Sequence, residues 1–318
     1  MTTAKPQDLR FDGDVVVVTG AGRGLGREHA LQFAARGARV VVNDLGVTSD
    51  GDGNDVSVAQ TVVEEIVSAG GDAVADTHSV ADAAGAAAVI ATAVQAFGRV
   101  DVLVNNAGII SYGALAELTD EQWQRMQSVT VDGAYFMSKA AWPQFRQQGR
   151  GRIVNTTSNA GFAGCPQLGH YGTAKLAVAG LTKTLALEGE EFGIVANAIA
   201  PMAITRMNRD AFFDGSDSES DDWQADLRSG KVPMGPAEIV SPTVLWLAHP
   251  STDISGEIFS TSSGKVARVA FVVGEGYFDP NHTPEDLRDN SERIRELGNF
   301  LDPKSTGDEL AVIPALFA

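Results

Sequence analysis

Cysteine occurs once, at position 165, so no disulfide can form within the chain, and a lone thiol fits a reducing cytoplasm. Positive charge is short: 24 Lys and Arg face 41 Asp and Glu, a formal net charge of -17. That balance argues against nucleic acid or an anionic membrane surface as a partner, since both attract basic faces. No apolar run approaches the roughly 20 residues that a membrane-spanning helix needs, and the polar stretch Met1 to Asp14 has no apolar signal core. The expectation is a soluble cytoplasmic protein. Histidine is scarce too: the five residues form no metal-ligand cluster with acids at suitable spacing, so no metal is expected.

What is present is an aliphatic core. Hydrophobic residues make up 44 %, enough to bury one. Short β-branched runs read as strands at Asp14–Thr19, Ala38–Asn43, Ala73–Asp76, Asp101–Asn105, Arg152–Thr157, Ile194–Ala198 and Glu257–Ser260. They are apolar throughout rather than alternating, as strands covered on both faces are. Between them Gly26–Arg36, Ser57–Ala69, Ala84–Phe97, Glu121–Gln147, His170–Phe192 and Pro236–Leu247 read as helices. Strand–helix alternation predicts an α/β fold: a single doubly wound (Rossmann) domain with a seven-stranded parallel sheet over residues 1–265. A C-terminal extension, 266–318, follows, with an added strand at Val266–Val273 and a short helix at Pro284–Leu297. It is too short for its own core. The acidic, Gly- and Ser-containing stretch Met207–Gly235 reads as a mobile lid, and its Phe212, Phe213 and Trp223 could cover an apolar substrate.

After the first strand comes Thr19-Gly20-Ala21-Gly22-Arg23-Gly24-Leu25-Gly26, opening a helix. Glycines permit a tight turn and a close approach of backbone to a pyrophosphate, and the helix start offers N–H groups and a positive dipole end. Asp44 ends the second strand, 18 residues past Gly26. A carboxylate there accepts from both adenosine ribose hydroxyls and repels a 2′-phosphate, which favours NAD over NADP. Arg23 pulls the other way, because a guanidinium in this loop could pair with that phosphate.

Tyr171 and Lys175 stand four apart, hence on one helical face, and Ser158 precedes Tyr171 by 13 residues at the end of a strand. With the Gly20–Gly26 pattern and Asn105-Asn106-Ala107-Gly108, these residues make the chain resemble the short-chain dehydrogenase/reductase family over about residues 12–264. The resemblance implies that Tyr171 is the general base for alcohol oxidation and that Ser158 orients the substrate oxygen. Lys175 would lower the phenol's pKa and hold the nicotinamide ribose. A free tyrosine titrates near about 10, and lowering it by about three units takes roughly 4 kcal/mol of phenolate stabilisation. The resemblance further implies that Asn106, Ala107 and Gly108 line the adenine and ribose side, that Ser79 and Val80 meet the adenine edge, and that Ile204 and Thr205 meet the nicotinamide amide. The family usually has Asp at the Ser79 position and Asn at the Thr130 position, where a helix kink and a water relay are built. Thr130 is therefore left out of the catalytic set. His170 reads as a neighbour of the site rather than an acid, Cys165 as packing, and Trp123, Trp142 and Trp246 as core.

Val42-Asn43-Asp44-Leu45-Gly46, Ala196-Asn197-Ala198-Ile199-Ala200-Pro201 and Val244-Leu245-Trp246-Leu247-Ala248-His249 are similar to the hydroxyacyl-CoA dehydrogenase part of peroxisomal multifunctional enzymes of type 2 and their bacterial relatives. This implies NAD-dependent interconversion of a secondary alcohol and a ketone on a large apolar small-molecule substrate, a 3-hydroxyacyl-CoA or a hydroxysteroid. The rivals are an NADP-linked ketone reductase and a non-catalytic dinucleotide sensor. The family commonly pairs subunits through the two long helices, so a homodimer or homotetramer is expected.

Overall fold

Valine-rich segments build the sheet in the computed structural model, which describes residues 8–53, 55–205, 223–229 and 234–317. The strands are β1 (Val15–Thr19), β2 (Arg39–Asn43), β3 (Asp72–Asp76), β4 (Val102–Asn105), β5 (Gly151–Thr156), β6 (Ile194–Met202), β7 (Ile258–Ser262) and β8 (Lys265–Val269). They lie in the order β3-β2-β1-β4-β5-β6-β7-β8. From β1 to β7 every pairing is parallel, with Val16 opposite both Val40 and Val102.

The seven expected strands are in place, and the count is corrected to eight. β8 follows β7 across Ser263–Gly264, whose φ angles of 50° and 85° are both positive. A two-residue connection of that kind returns the chain antiparallel. The strand expected at Val266–Val273 stops at Val269, and Val273–Gly274 pairs with Phe300–Leu301.

Buried β-strands send successive side chains to opposite faces. Val15, Val17, Val41, Leu103, Ile153 and Ala196 belong to one core cluster, with Val89, Met137, Phe145 and Leu185. Val16, Val18, Val40, Val42, Val104 and Ile199 belong to the other, with Phe33, Ile66 and Leu245. The helices that supply these partners are α1 (Gly24–Ala35), α2 (Ser57–Ser68), α3 (Ala83–Phe97), α5 (Gly133–Gln148) and α7 (Gly169–Gly189), together with Ser241–Ala248. Between α3 and α5 lies α4 (Asp120–Gln127), and between α5 and α7 the short α6 (Asn159–Ala163).

The single helix expected at Glu121–Gln147 is divided. A π-helical turn, Ser128–Asp132, separates α4 from α5, and the Gly133 N–H reaches back to the Ser128 carbonyl. Such a turn inserts one extra residue into the helical ladder and re-aims the side chains around it. Thr119 and Gln122 start α4 with a capping box. No aliphatic periodicity announces α6. It begins because Ser158 Oγ accepts the N–H of Ala160 at 3.2 Å.

The chain divides into two compact units, Met1–Arg268 and Val269–Ala318. The second holds the short pair Val273–Gly274 and Phe300–Leu301 and the helices Pro284–Asp289, Ser291–Arg295 and Thr306–Val312, two of them begun by capping boxes. The helix expected at Pro284–Leu297 is thus broken at Asn290. None of this unit's described residues is buried, in line with its lack of a core. Of the anticipated lid, 206–222 and 230–233, including Phe212 and Phe213, lie outside the described residues, and Trp223–Ser229 is helical. Among the described residues no helix is long and apolar enough to cross a membrane, and no cluster of His, Cys, Asp or Glu could hold a metal ion.

Candidate active site

Strand order reverses between β1 and β4, and a crevice opens beyond their carboxyl ends, where open α/β sheets bind ligands. Thr19 ties its two walls together. Its hydroxyl oxygen accepts the N–H of Asn106 at 3.1 Å and of Ala107 at 3.0 Å, and donates to the Val104 carbonyl. The Asn106 amide in turn donates to the carbonyls of Thr19 and Gly20, both at 3.0 Å. Asn106 is therefore a brace for the glycine loop.

The loop needs its glycines for approach. A Cβ on Gly20, at φ +61°, would meet Ala107 Cα at 2.8 Å, and one on Gly26 would meet the Gly20 carbonyl oxygen at 2.1 Å. α1 follows without any side-chain cap, leaving its first N–H groups open to an anion. Asp44 accepts the N–H of Gly22 at 2.8 Å and of Gly46 at 2.7 Å, so its carboxylate is fixed against the loop. Arg23 donates to the Val47 carbonyl at 3.2 Å. Glycine-lined closeness, an uncapped helix start and an anchored acid fit the pyrophosphate and ribose of a dinucleotide.

A cleft of about 260 Å³ runs along this crevice. It is lined by Gly20, Arg23, Gly24, Leu25, Asp44, Ser79, Val80, Asn106, Ala107, Gly108, Thr205, Tyr171 and Lys175 from the expected set. Gly26, Ile204 and Ser158 are not on its wall. Gly26 packs behind the loop against Gly20, and Ile204 donates its N–H to the Gly235 carbonyl at 2.9 Å. Sequence reading missed Val47, Thr48 and Ser49 of the long β2–α2 connection, which reach the cleft because Ile110 N–H holds the Ser49 carbonyl at 2.9 Å. The turn glycines Gly46 and Gly51 were the available signal. His78, from the β3 connection, was missed as well.

At the far end, β5 runs out through Thr156 and Thr157 to Ser158. Thr157 Oγ1 donates to the Lys175 carbonyl at 2.5 Å, clamping α7 to the strand end, and Lys175 Nζ donates to the Thr156 carbonyl at 2.8 Å. Nζ lies 5.7 Å from the centroid of the Tyr171 ring. Burial lowers the Lys175 pKa to about 8. Burial raises that of Tyr171, the nearby Tyr112 hydroxyl adds to the rise, and a hydrogen bond with Ser158 counters it. Ser158 and Lys175 thus lie close to Tyr171: the ammonium sits beneath its ring, and Ser158 Oγ, near its hydroxyl, donates to Asn159 Oδ1 at 3.3 Å.

Thr130 sits in the π-helical turn, buried, with its hydroxyl on Met126 Sδ at 3.6 Å. His170 is fully buried beside Ser111, whose Oγ lies 2.8 Å from its Nε2. Burial lowers its pKa, so at neutral pH it is an uncharged neighbour. Cys165, expected in packing, is exposed. Of the tryptophans, Trp246 packs edge-on against Phe259 at 5.2 Å, whereas Trp123, expected in the core, is exposed on α4.

The fold, the phosphate loop and the Ser-Tyr-Lys cluster define a nucleotide-dependent oxidoreductase. The chain belongs to the short chain dehydrogenase family, whose model matches residues 14–214. It is 40 % identical over 311 residues to the peroxisomal hydratase-dehydrogenase-epimerase of Neurospora crassa, an alignment covering 96 % of this chain and 33 % of that protein. It is 33 % identical over 318 residues to hydroxyacyl-CoA dehydrogenase ChsB1 of Mycobacterium tuberculosis, covering 96 % of this chain and 94 % of that one. Among solved structures, a 7α-hydroxysteroid dehydrogenase complexed with NADH and 7-oxo glycochenodeoxycholic acid superposes with a TM-score of 0.69 at 27 % identity, covering 82 % of this chain and 97 % of that one. The chain spans about a third of the length of the Neurospora relative.

Proposed function

We propose that this protein is an NAD-dependent dehydrogenase that oxidises a secondary alcohol on a large apolar substrate, a 3-hydroxyacyl-CoA first and a hydroxysteroid second. Ser158, Tyr171 and Lys175 are its catalytic residues. The observation that carries the reading is that Tyr171 and Lys175 line the cleft that also holds the glycine loop and Asp44, with Ser158 just past the end of β5 beside Tyr171.

Gly20 to Gly26 with the start of α1 would hold the pyrophosphate, and Asp44 the adenosine ribose. Ser79 and Val80 would bound the base, Asn106 to Gly108 the ribose side, and Thr205 the carboxamide end. NAD, when bound, supplies the hydride acceptor. Ser158 Oγ holds the substrate oxygen, and Tyr171 Oη takes its proton. The Lys175 ammonium stabilises the phenolate form of Tyr171 that accepts this proton and becomes the neutral phenol. The fixed Asp44 carboxylate opposes a 2′-phosphate, and Arg23, engaged with Val47, is turned from that role, which supports NAD. The name of the mycobacterial relative supports an acyl-CoA, and the steroid complex supports the second substrate class.

Residues 1–265 form the dehydrogenase domain in this reading, and 266–318 an extension. Subunits pair through α5 and α7, which expose Tyr135, Leu176 and Leu187, giving a dimer or tetramer. The exposed thiol of Cys165 fits a reducing cytoplasm.

The test is a fluorescence titration with NADH and NADPH, followed by turnover of a 3-hydroxyacyl-CoA and of a free hydroxysteroid across ionic strength. NADH is expected to bind more tightly, and the acyl-CoA to turn over faster as salt screens the net charge of -17. NADH binding with no turnover of either alcohol at any salt ends the substrate reading. Preference for NADPH ends the cofactor reading.

A further inference from the structure

β3 delivers the chain into the cleft through a connection whose polar groups are fixed from behind. Asp76, the last residue of β3, is 4 % exposed, and its carboxylate is fully engaged. Oδ1 accepts Asn43 Nδ2 at 2.8 Å and the backbone N–H of His78 at 3.0 Å. Oδ2 accepts the Thr92 hydroxyl at 2.6 Å and faces His78 Nδ1 at 3.0 Å. A carboxylate surrounded by donors only accepts, so Nδ1 carries the imidazole proton and Nε2 keeps its lone pair. No hydrogen bond to Nε2 is formed among the described residues, while His78 itself lines the cleft next to Ser79, Val80 and Ala81.

Ser79 does not fill this role. Its Oγ is turned back to accept the Ala81 N–H at 3.1 Å, and it stands where the family usually carries an aspartate. Position along the sheet supplies the ligand. β3 is the outermost strand on the side of the crevice away from Tyr171 and Lys175, one strand beyond β2, whose end carries Asp44. A dinucleotide with its pyrophosphate on the glycine loop and its ribose on Asp44 has its base beyond Asp44, at the end of β3.

We infer that His78 Nε2 is the acceptor that reads the exocyclic amine of the cofactor's purine, with Asp76 as the group that fixes its tautomer. The cleft thereby selects a 6-aminopurine dinucleotide over a 6-oxopurine one. This rests on the reading above that the cleft takes an adenine dinucleotide.

The experiment is a fluorescence titration of the apo protein with NADH, with the reduced hypoxanthine analogue of NADH, and with NADPH, for the parent and for His78→Phe. In the analogue a carbonyl replaces the amine and sets acceptor against acceptor. The parent is expected to bind NADH about three- to ten-fold more tightly than the analogue, the net worth of one hydrogen bond. His78→Phe is expected to bind the analogue at least as tightly as the parent does and NADH no better than the analogue. The His78 side chain is 55 % exposed, so the replacement leaves the core untouched, and undiminished analogue binding reports an intact fold. Equal binding of NADH and the analogue by the parent overturns the inference, as does an undiminished preference in the variant. A variant that loses NADPH but not NADH overturns it too, since the imidazole would then serve as a cation for a phosphate. Failure of the parent to bind any of the three removes the cofactor reading itself, an outcome distinct from loss of the purine preference alone.

Discussion

Lys175 Nζ donates to the carbonyl oxygen of Thr156 at 2.8 Å, so the ammonium beneath the Tyr171 ring is held by the strand that leads to Ser158. Burial brings its pKa from 10.5 to about 8. Between those values the unfolded chain binds more protons than the folded one, so this group makes stability rise with pH across that window. Below about pH 8 the cost of burying the charge is fully present, at most roughly 3 kcal/mol.

Lys175→Met removes that cost and strands the Thr156 carbonyl, which forfeits about 1 kcal/mol. The apo variant is expected to gain about 1–2 kcal/mol at pH 7 while losing turnover, and the gain is expected to vanish towards pH 10.5. Denaturant melts at the two pH values check this. A variant less stable than the parent at pH 7 contradicts it.

Tyr171 faces the reverse problem, because burial favours its neutral phenol. Its deprotonation depends on the adjacent cation, so oxidation is expected to accelerate with rising pH until Lys175 itself loses its proton. Tyr171→Phe is expected to lower kcat roughly a hundred- to ten-thousand-fold. NADH titration should be unchanged in the same variant. A variant that loses both signals would return the residue to a role in packing.

Asp44→Ala deprives the N–H groups of Gly22 and Gly46 of their acceptor as well as the ribose of its own. NADH affinity is expected to fall about ten-fold or more, the worth of a charged hydrogen bond. NADPH should not bind as the parent binds NADH, because Arg23 stays on the Val47 carbonyl. Selectivity is lost rather than inverted. Paired titrations measure it, and strong NADPH binding would show that Arg23 is released.

His29 on α1 is fully buried with Nδ1 2.7 Å from Ser241 Oγ, and burial lowers its pKa from 6.5 to about 3. The unfolded chain takes up this proton first, so stability present above pH 6.5 is lost as pH falls through that window. His29→Gln is expected to flatten the acid limb by about 1 kcal/mol per pH unit. Unfolding midpoints at pH 7, 5 and 4 read the slope, and an unchanged slope assigns acid sensitivity to other groups.

The doubly wound sheet was legible because its strands are written in valine between small-residue helices, and only a sheet covered on both faces reads that way. Ser158, Tyr171 and Lys175 were legible from spacing, since the strand end and one helical turn carry them to one place. The π-helical turn was legible only through the family's helix kink at the Thr130 position, because Ser128–Asp132 keeps an ordinary helical composition and differs only in one inserted residue. β8 was misjudged in length because the side chains after Val269 stay apolar while the chain leaves the sheet. His78 escaped notice because its tautomer depends on a buried carboxylate two residues back and on Thr92, on a separate helix. Cys165 and Trp123 were placed by residue type alone, and their exposure follows from positions in a loop and on the outer side of α4.

The bonds from Asn106 and Ala107 to Thr19 have a consequence for how the protein is made. The glycine loop leaves the ribosome before its brace, which is encoded more than eighty residues later. A nascent chain that has released β1 and α1 alone owns the fingerprint but not the receptacle. Nucleotide can assist folding only once β4 has emerged and slotted in beside β1, so any ligand-driven rescue of a weakened variant must act after that point in synthesis.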